Sequence, residues 1–299
     1  MKILIVGGTG MIGGYLALHL QSSGHDVTVA GRKAPGADSP LAGLAFIQCD
    51  YIAADLEPQL AASFDAMVFA AGNDVRHLPP DTDPAAYWPK ANSEAIPRFI
   101  KAARDAGLGR VVCVGSFYPQ AAPEIAQRDA YARSRKEADE AVLALAGNGF
   151  HVCSINAPFV VGTVPGIEVP MFKAYADYAM GRLSPMPEYA PPGGVNFISV
   201  RSLSEAIGGA LLNGENGKAY LVGDENLSFA DFFGAFFEAA GREAPPVRNE
   251  EHPLLPDAAI LWGRGNNLFY EPEPAECALL GYQRGDIRRT INDIVSQHQ

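Results

Sequence analysis

Two periodicities alternate along the first half of the chain. Short apolar runs rich in β-branched residues predict strands buried on both faces, at 2–6, 26–30, 44–48, 66–70, 110–114 and 151–155. Apolar residues at helical spacing predict helices between several of them, at 11–20, 92–106 and 129–146. Strands joined by crossover helices predict an α/β fold with a doubly wound parallel sheet of Rossmann type, whose first strand lies near the centre.

The pattern changes after Asn156, because prolines interrupt most of the later segments. Apolar periodicity there predicts helices at 171–180, 202–212, 229–240 and 287–295, and strands at 195–200 and 218–222. We therefore expect one domain at 1–156 and a smaller C-terminal cap at 157–299, with 195–222 returning to the main fold. The proline-rich segment 79–89 is expected to be a loop near the site, because proline disfavours regular structure.

The turn after the first strand contains glycines with distinct physical roles. Gly7 can adopt the geometry of a tight turn, Gly10 lets the main chain approach a pyrophosphate, and Gly13 lets the helix pack close to the strand. Free N–H groups at the start of the helix can bind phosphates. Strand, glycine turn and helix in this order predict a dinucleotide site, although glycines alone would also suit an ordinary turn. The expected cofactor contacts in this stretch are Gly7, Thr9, Gly10, Met11, Ile12 and Gly13.

The end of the second strand distinguishes the two nicotinamide cofactors. An acidic residue there would bind the ribose 2′-hydroxyl, but this chain has Arg32 and Lys33, which suit a 2′-phosphate. We therefore predict NADP(H) in preference to NAD(H); a solvated basic turn is the alternative role of these residues. Asp50, after the third strand, could accept a hydrogen bond from the adenine amino group or cap a turn.

Composition disfavours several classes of partner. The 299-residue chain has a net charge of −11, which argues against nucleic acid and anionic membranes. Apolar runs stay shorter than the roughly 20 residues of a membrane span. The first strand begins at once, which leaves no room for a signal peptide. The four cysteines are scattered without metal-ligand spacing, so we expect buried thiols, no metal site and a cytoplasmic protein.

A second group of residues suits proton transfer. Tyr131 and Arg135 are four residues apart on a predicted helix, so their side chains share a face. A fixed positive charge there would help the phenol exchange a proton with a substrate oxygen. Ser116 follows the fifth strand, at the sheet edge where ligands bind, and its hydroxyl could orient the same oxygen. Taken singly, a surface tyrosine and a capping serine are the alternatives.

Motifs in a fixed order cover nearly the whole chain: GGTGMIG at 7–13, FAAG at 69–72, Asn92, VGS at 114–116, YARSR at 131–135 and GVNFISVRSLSEAI at 194–207. Together they resemble the extended short-chain dehydrogenase/reductases, a group that includes the NAD(P)-dependent epimerase/dehydratases. The resemblance implies that Tyr131 is the general acid/base, that Ser116 binds the same oxygen, and that helices 92–106 and 129–146 form a homodimer interface. It implies further cofactor contacts at Asp50, Tyr51, Ala70, Ala71, Gly72, Asn92 and Pro158.

Several positions depart from the family pattern. Arg135 stands where the family has lysine, and Lys136, about 100° further around the helix, does not replace it. Arginine could hold the nicotinamide ribose, but it cannot release a proton, so a relay through that group would be lost. No arginine precedes Pro158, and Ser202 replaces a usual aspartate, which disfavours an NDP-sugar substrate.

We expect an NADP(H)-dependent oxidoreductase that interconverts a carbonyl and an alcohol on a small, partly apolar substrate. Candidate pocket residues are Phe117, Tyr118, Phe159, Val160, Met171, Tyr175 and Tyr178. One alternative is an NDP-sugar epimerase or dehydratase, which needs cations for a second pyrophosphate; the cap offers Lys173, Arg182, Arg201 and Arg264. The alternative outside enzymes is an NADP-binding sensor or assembly protein with a decayed active site, which the arginine at 135 motivates.

Overall fold

The computed structural model describes residues 1–73 and 78–299. The strands of this part of the chain are β1 (Lys2–Val6), β2 (Asp26–Gly31), β3 (Ala45–Gln48), β4 (Ala66–Phe69), β5 (Arg110–Ser116), β6 (His151–Ala157), β7 (Phe159–Val161), β8 (Gly194–Ser199), β9 (Ala219–Leu221), β10 (Glu225–Ser228) and β11 (Asn267–Leu268).

Its α-helices are α1 (Met11–Ser22), α2 (Pro58–Ala61), α3 (Pro84–Trp88), α4 (Ala95–Asp105), α5 (Tyr118–Ala121), α6 (Ile125–Arg128), α7 (Ala130–Leu143), α8 (Pro170–Ala179), α9 (Val200–Asn213), α10 (Phe229–Ala239), α11 (Pro274–Leu280) and α12 (Ile287–His298). Short 3₁₀ turns cover Pro40–Gly43 and Asp257–Ala259, and a π-helical turn covers Pro89–Glu94. Within the described residues, no helix combines the length and apolarity that a membrane span requires.

The main sheet has seven parallel strands in the order β3-β2-β1-β4-β5-β6-β9. The first strand is therefore near the centre, and the predicted doubly wound parallel sheet is confirmed. A second sheet joins β8 to β7 and β11 in parallel and to β10 in antiparallel. Of the segment 195–222, the strand β8 belongs to this second sheet, whereas α9 packs on α1 and β9 pairs with β6.

Alternation along β1 places its side chains in two separate cores. Ile3 and Ile5 pack on the face that α1 and α9 cover, and Leu4 and Val6 pack on the face that α4 covers. A third core lies between the second sheet and helices α8, α10 and α12. The apolar run of α10 fills it with buried phenylalanines: Phe229, Phe232, Phe233, Phe236 and Phe237.

The segment 79–89 is not a loop throughout, so that prediction was wrong. Asp83 caps α3 by accepting a hydrogen bond from the Ala85 N–H at 3.0 Å, and Pro84 is the first residue of that helix. Pro89 then begins the π-helical turn that leads directly into α4. Proline fits these positions because the N–H groups of the first helical turn have no partner within the helix.

A segment between α10 and β11, residues 252–262, crosses the cap with only a short 3₁₀ turn; we call it the strap. Its first residue, His252, is buried against the rings of Tyr178, Tyr189 and Phe233. The imidazole Nδ1 accepts a hydrogen bond from the Leu254 N–H at 3.1 Å. Burial lowers the pKa of His252 to about 4, so the neutral ring holds the strap.

We predict that Gly13→Ala destabilises the protein. A Cβ at residue 13 would lie 2.3 Å from the backbone oxygen of Gly7, so α1 would have to move away from the turn. Overpacking of this kind costs about 1–3 kcal/mol. The free energy of unfolding in urea measures the loss. Gly36→Ala, where a Cβ meets nothing within 4 Å, is the matched control. Equal stability of the two variants would contradict the prediction.

We also predict that the contribution of His252 to stability disappears in acid. The fold holds the pKa of this histidine below its ordinary 6.5, so the unfolded chain binds the proton more readily. The stabilisation is complete above pH 6.5 and is lost as the pH falls towards 4. In His252→Asn an amide oxygen can still accept the Leu254 N–H but does not titrate. The stability advantage of the wild type over this variant should shrink between urea titrations at pH 7.5 and pH 4.5; a constant difference would refute the assignment.

Candidate active site

A cavity of about 700 Å³ lies at the carboxyl ends of the central strands, between the main sheet and the cap. From the first half of the chain it is lined by Met11, Ile12, Ala70, Gly72, Val114, Gly115, Ser116, Phe117, Tyr118, Tyr131 and Arg135. Later parts contribute mainly apolar groups: Ala157, Pro158, Phe159, Val160, Pro170, Met171, Ala174, Tyr175, Val195, Pro253, Leu254, Leu255, Pro256, Ala258, Ala259 and Trp262. The three residues predicted to act in proton transfer therefore line one cavity.

Tyr131 lies in the first turn of α7, where capping and ring contacts fix it. The Asp129 carboxylate caps this helix by accepting a hydrogen bond from the Ala132 N–H at 2.8 Å. The Tyr131 ring packs edge-on against Trp88, with 5.2 Å between ring centroids, and against Tyr118, with 6.3 Å. Aromatic neighbours on two sides leave the phenol little freedom to rotate.

Arg135 lies one turn further along α7, and its guanidinium is directed to backbone carbonyls. Its Nη2 donates to the oxygen of Val114 at 3.0 Å, and its Nη1 donates to the oxygen of Asn73 at 3.3 Å. Gly72 makes room for this contact, because a Cβ there would lie 2.5 Å from Arg135 Nη1. Arg135 is 7% exposed and thus a fixed, buried positive charge beside the cavity.

Ser116 is the last residue of β5, and a buried polar group lies behind it. Gly115 leaves space for the Asn156 amide, since a Cβ at 115 would be 1.7 Å from Asn156 Oδ1. Asn156 Nδ2 donates to Asp139 at 3.1 Å and to Gln120 at 2.8 Å. Burial raises the pKa of Asp139, which its hydrogen bonds only partly offset. These contacts connect β5, β6 and α7 at the edge where the site lies.

The glycine turn fits a phosphate group. Gly7 has a φ of +84° and packs against the backbone of Ala70, where a Cβ would be 2.7 Å from the carbonyl. Helix α1 begins after Gly10 with no side-chain cap, so no side chain occupies its first N–H groups. Met11 and Ile12, in that first turn, line the cavity.

Other predicted cofactor contacts lie around this turn but outside the cavity. Arg32 and Lys33 are exposed just beyond β2, and neither has an ion-pair partner within 1–73 and 78–299. Asp50 caps a turn by accepting a hydrogen bond from the Ile52 N–H at 3.1 Å, which is the alternative role considered for it. A contact with adenine through its exposed carboxylate stays a prediction.

Tyr51 and Asn92 are buried close together. The Tyr51 hydroxyl donates to the Ala91 carbonyl at 3.0 Å and accepts from Asn73 Nδ2 at 2.6 Å, and burial raises its pKa to about 12. Asn92 belongs to the π-helical turn, and its amide donates to Ser134 Oγ at 3.1 Å. Ala71 packs against the apolar core to which Tyr51 belongs. Cofactor contacts by these residues stay predictions too.

The four cap cations considered for a second pyrophosphate are all paired with carboxylates. The pairs are Lys173–Asp177 (2.5 Å), Arg182–Asp177 (3.2 Å), Arg201–Glu205 (3.1 Å) and Arg264–Asp257 (2.9 Å). None of these cations lines the cavity, and Arg135 is the charged side chain of its lining within the described residues. The arginines and lysine proposed for a second pyrophosphate are therefore committed elsewhere in this structure.

Sequence reasoning missed three contributors to the site. Asn73 supplies the carbonyl that Arg135 contacts, Trp88 packs on Tyr131, and the strap forms a wall of the cavity. The strap had a visible signal, the apolar run Pro253–Pro256 in a proline-rich region, and Trp88 lies in the segment 79–89 that was expected near the site. The other two contacts depend on how distant segments meet.

Comparison with known proteins identifies the family. The model of the NAD dependent epimerase/dehydratase family matches residues 3–179. No curated protein matches the sequence. Among solved structures, that of gox2253 is similar over 98% of this chain and 96% of its own, with a TM-score of 0.77 and 21% identity.

Two further structures are similar to this chain and contain ligands. UDP-glucose-4-epimerase from Stenotrophomonas maltophila, with bound NAD and formylated UDP-arabinopyranose, matches over 100% of this chain and 98% of its own (TM-score 0.75, 19% identity). The Bordetella bronchiseptica enzyme WbmG, in complex with NAD and UDP, matches over 99% and 94% (TM-score 0.71, 18% identity). The TM-scores of 0.71 to 0.77 establish a shared fold. Because the family model covers more than half of the sequence, the chain belongs to the NAD dependent epimerase/dehydratase family.

Proposed function

We propose that this protein is an NAD(P)-dependent enzyme of the short-chain dehydrogenase/reductase type, which moves a hydride to or from a carbon that bears oxygen. The observation that carries the proposal is the lining of one cavity by Ser116, Tyr131 and the first turn of α1. Family membership supports the cofactor class. The 3–179 match covers all of these residues.

Cofactor binding would use the glycine turn and the free end of α1 for the pyrophosphate. When bound, the nicotinamide ring supplies the hydride donor or acceptor. Arg32 and Lys33, exposed and without ion-pair partners among the described residues, support a preference for the 2′-phosphate of NADP(H). NAD, which the Stenotrophomonas and Bordetella relatives contain, is the other candidate.

Proton transfer is assigned to Tyr131, with Ser116 orienting the substrate oxygen. Arg135 would stabilise negative charge on the phenol or the substrate oxygen, because its positively charged guanidinium is held in place by two carbonyls. It would not pass a proton on. In an apolar cavity these few polar groups interact strongly, since little water competes with them.

Two substrate classes are supported by different observations. The mainly apolar lining, with Lys173, Arg182, Arg201 and Arg264 paired with carboxylates, favours a small, partly apolar carbonyl or alcohol. Membership of the epimerase/dehydratase family and the similarity to nucleotide-sugar enzymes favour an NDP-sugar epimerase or dehydratase. We propose both substrate classes, and measurements of turnover separate them.

We also propose that the chain divides into a domain at 1–156 and a cap at 157–299, and that it forms a homodimer. A dimer through α4 and α7 would bury charged side chains that now pair on the surface, such as Arg98 with Asp55 and Lys136 with Glu140.

We predict that Tyr131→Phe lowers kcat/KM by about 10²- to 10⁴-fold, because the general acid/base is lost. Cofactor affinity should not change. Rates are measured with NADPH and ketones, and separately with UDP-glucose, whose binding is also followed by the melting temperature. Turnover of ketones supports the first substrate class, and conversion of UDP-glucose supports the second. Full activity of Tyr131→Phe on every substrate that the wild type uses would remove Tyr131 from the mechanism.

We predict that Arg32→Gln weakens NADPH binding about tenfold or more and leaves NADH binding unchanged. A charge-assisted hydrogen bond to the 2′-phosphate is lost, and NADH lacks that group. Dissociation constants from calorimetry measure the effect. Arg288→Gln is the control, because Arg288 pairs with Glu238 on the surface of the cap. An equal loss for both cofactors, or none for either, would be inconsistent with an NADP(H) site at Arg32.

A further inference from the structure

Tyr118 is a second phenol of the cavity that the proposed mechanism does not use. It is the first residue of α5, two positions after Ser116, and it is 7% exposed. Its ring is perpendicular to that of Tyr131, with 6.3 Å between centroids, and it also contacts Phe117 and Trp262. The two phenols therefore belong to one wall of the cavity.

The Tyr118 hydroxyl lacks a hydrogen-bond partner within 1–73 and 78–299. The hydroxyls of other buried tyrosines, Tyr131 aside, make hydrogen bonds to backbone groups: Tyr51, Tyr175, Tyr178, Tyr189, Tyr220 and Tyr282. The Tyr118 ring is buried, but its oxygen is not among the fully enclosed unpaired atoms of the described residues, so it is open to solvent. A hydroxyl of a cavity-lining residue that no described residue binds is available to a ligand.

This phenol stays a donor at any ordinary pH. Burial raises the pKa of Tyr118 well above the usual value of 10, and the nearby Tyr131 adds to the effect. It is therefore a weaker acid than an ordinary phenol and keeps its proton. It can donate a hydrogen bond to an acceptor oxygen.

We propose that Tyr118 binds a second substrate oxygen, next to the oxygen that reacts at Ser116 and Tyr131. The preferred substrate class is then a carbonyl compound or alcohol with a neighbouring oxygen function, such as an α-hydroxyketone. The inference rests on the proposed function. It holds for a small ketone and for an NDP-sugar alike, because the carbonyl of an oxidised sugar also has a neighbouring hydroxyl.

The test compares two probes that differ in one hydroxyl, acetophenone and 2-hydroxyacetophenone. We expect the NADPH-bound wild type to favour 2-hydroxyacetophenone by about 3- to 10-fold in KM and in dissociation constant, the range for one neutral hydrogen bond. Tyr118→Phe should abolish this ratio. Tyr15→Phe, which removes a phenol on α1 outside the cavity lining, should keep the ratio.

Binding is measured independently of turnover, by quenching of the two tryptophans. Trp262 lines the cavity and Trp88 contacts Tyr131, so both report on this site. If the ratio of the two dissociation constants depends on Tyr118 but NADPH is not oxidised, the result supports the inference and counts against the proposed function. If NADPH is oxidised and Tyr118→Phe keeps the wild-type preference for 2-hydroxyacetophenone, the inference is overturned but the proposed function is not.

Three other outcomes also overturn the inference. They are binding of neither probe, absence of a preference in the wild type, and a Tyr118→Phe variant whose pH profile of kcat shifts equally for both probes. The last result would mean that Tyr118 acts on Tyr131 and not on the substrate.

Discussion

The hydrogen bonds from Arg135 to the carbonyls of Val114 and Asn73 hold the site together. They fix α7 against β5 and the segment after β4, and therefore fix Tyr131, one turn earlier on the same helix. Gly72 is the condition for this contact, because any side chain there would collide with the guanidinium. A lysine at 135 would offer a single ammonium group, whereas the planar guanidinium can reach both carbonyls at once.

The charges of the cap and the similarity to nucleotide-sugar enzymes favour different substrate classes. Nucleotide-sugar relatives share the fold, yet in the described part of this cavity the positive charge comes from Arg135 alone. The cations Lys173, Arg182, Arg201 and Arg264 pair with carboxylates, although exposed pairs contribute little to stability. A diphosphate that used these cations would have to displace the carboxylates, whereas a substrate without phosphate would not.

Local patterns predicted the elements that form the sheet, because buried parallel strands are nearly continuous apolar runs. The first strand, the glycine turn and α1 follow from residues that are adjacent in sequence. The helix at Pro84–Trp88 was missed because proline was taken as a breaker, although Asp83 and Pro84 together form a good helix start. The acceptors of Arg135 could not be predicted, since backbone carbonyls carry no sequence signal. The lack of a hydrogen-bond partner for the Tyr118 hydroxyl among the described residues is likewise a property of the folded chain.

The first part of the strap, residues 252–256, has structural support of its own. It is held by the His252 imidazole and by the Tyr175 hydroxyl, which donates to the Leu254 carbonyl at 3.1 Å. Neither anchor belongs to the main sheet, which positions Ser116, or to α7, which carries Tyr131. Side chains at 253–256 can therefore change while the proton-transfer residues keep their positions. Proteins built on this plan can diversify in the molecules they accept through a single short stretch of chain, and the same stretch is where an engineer would begin.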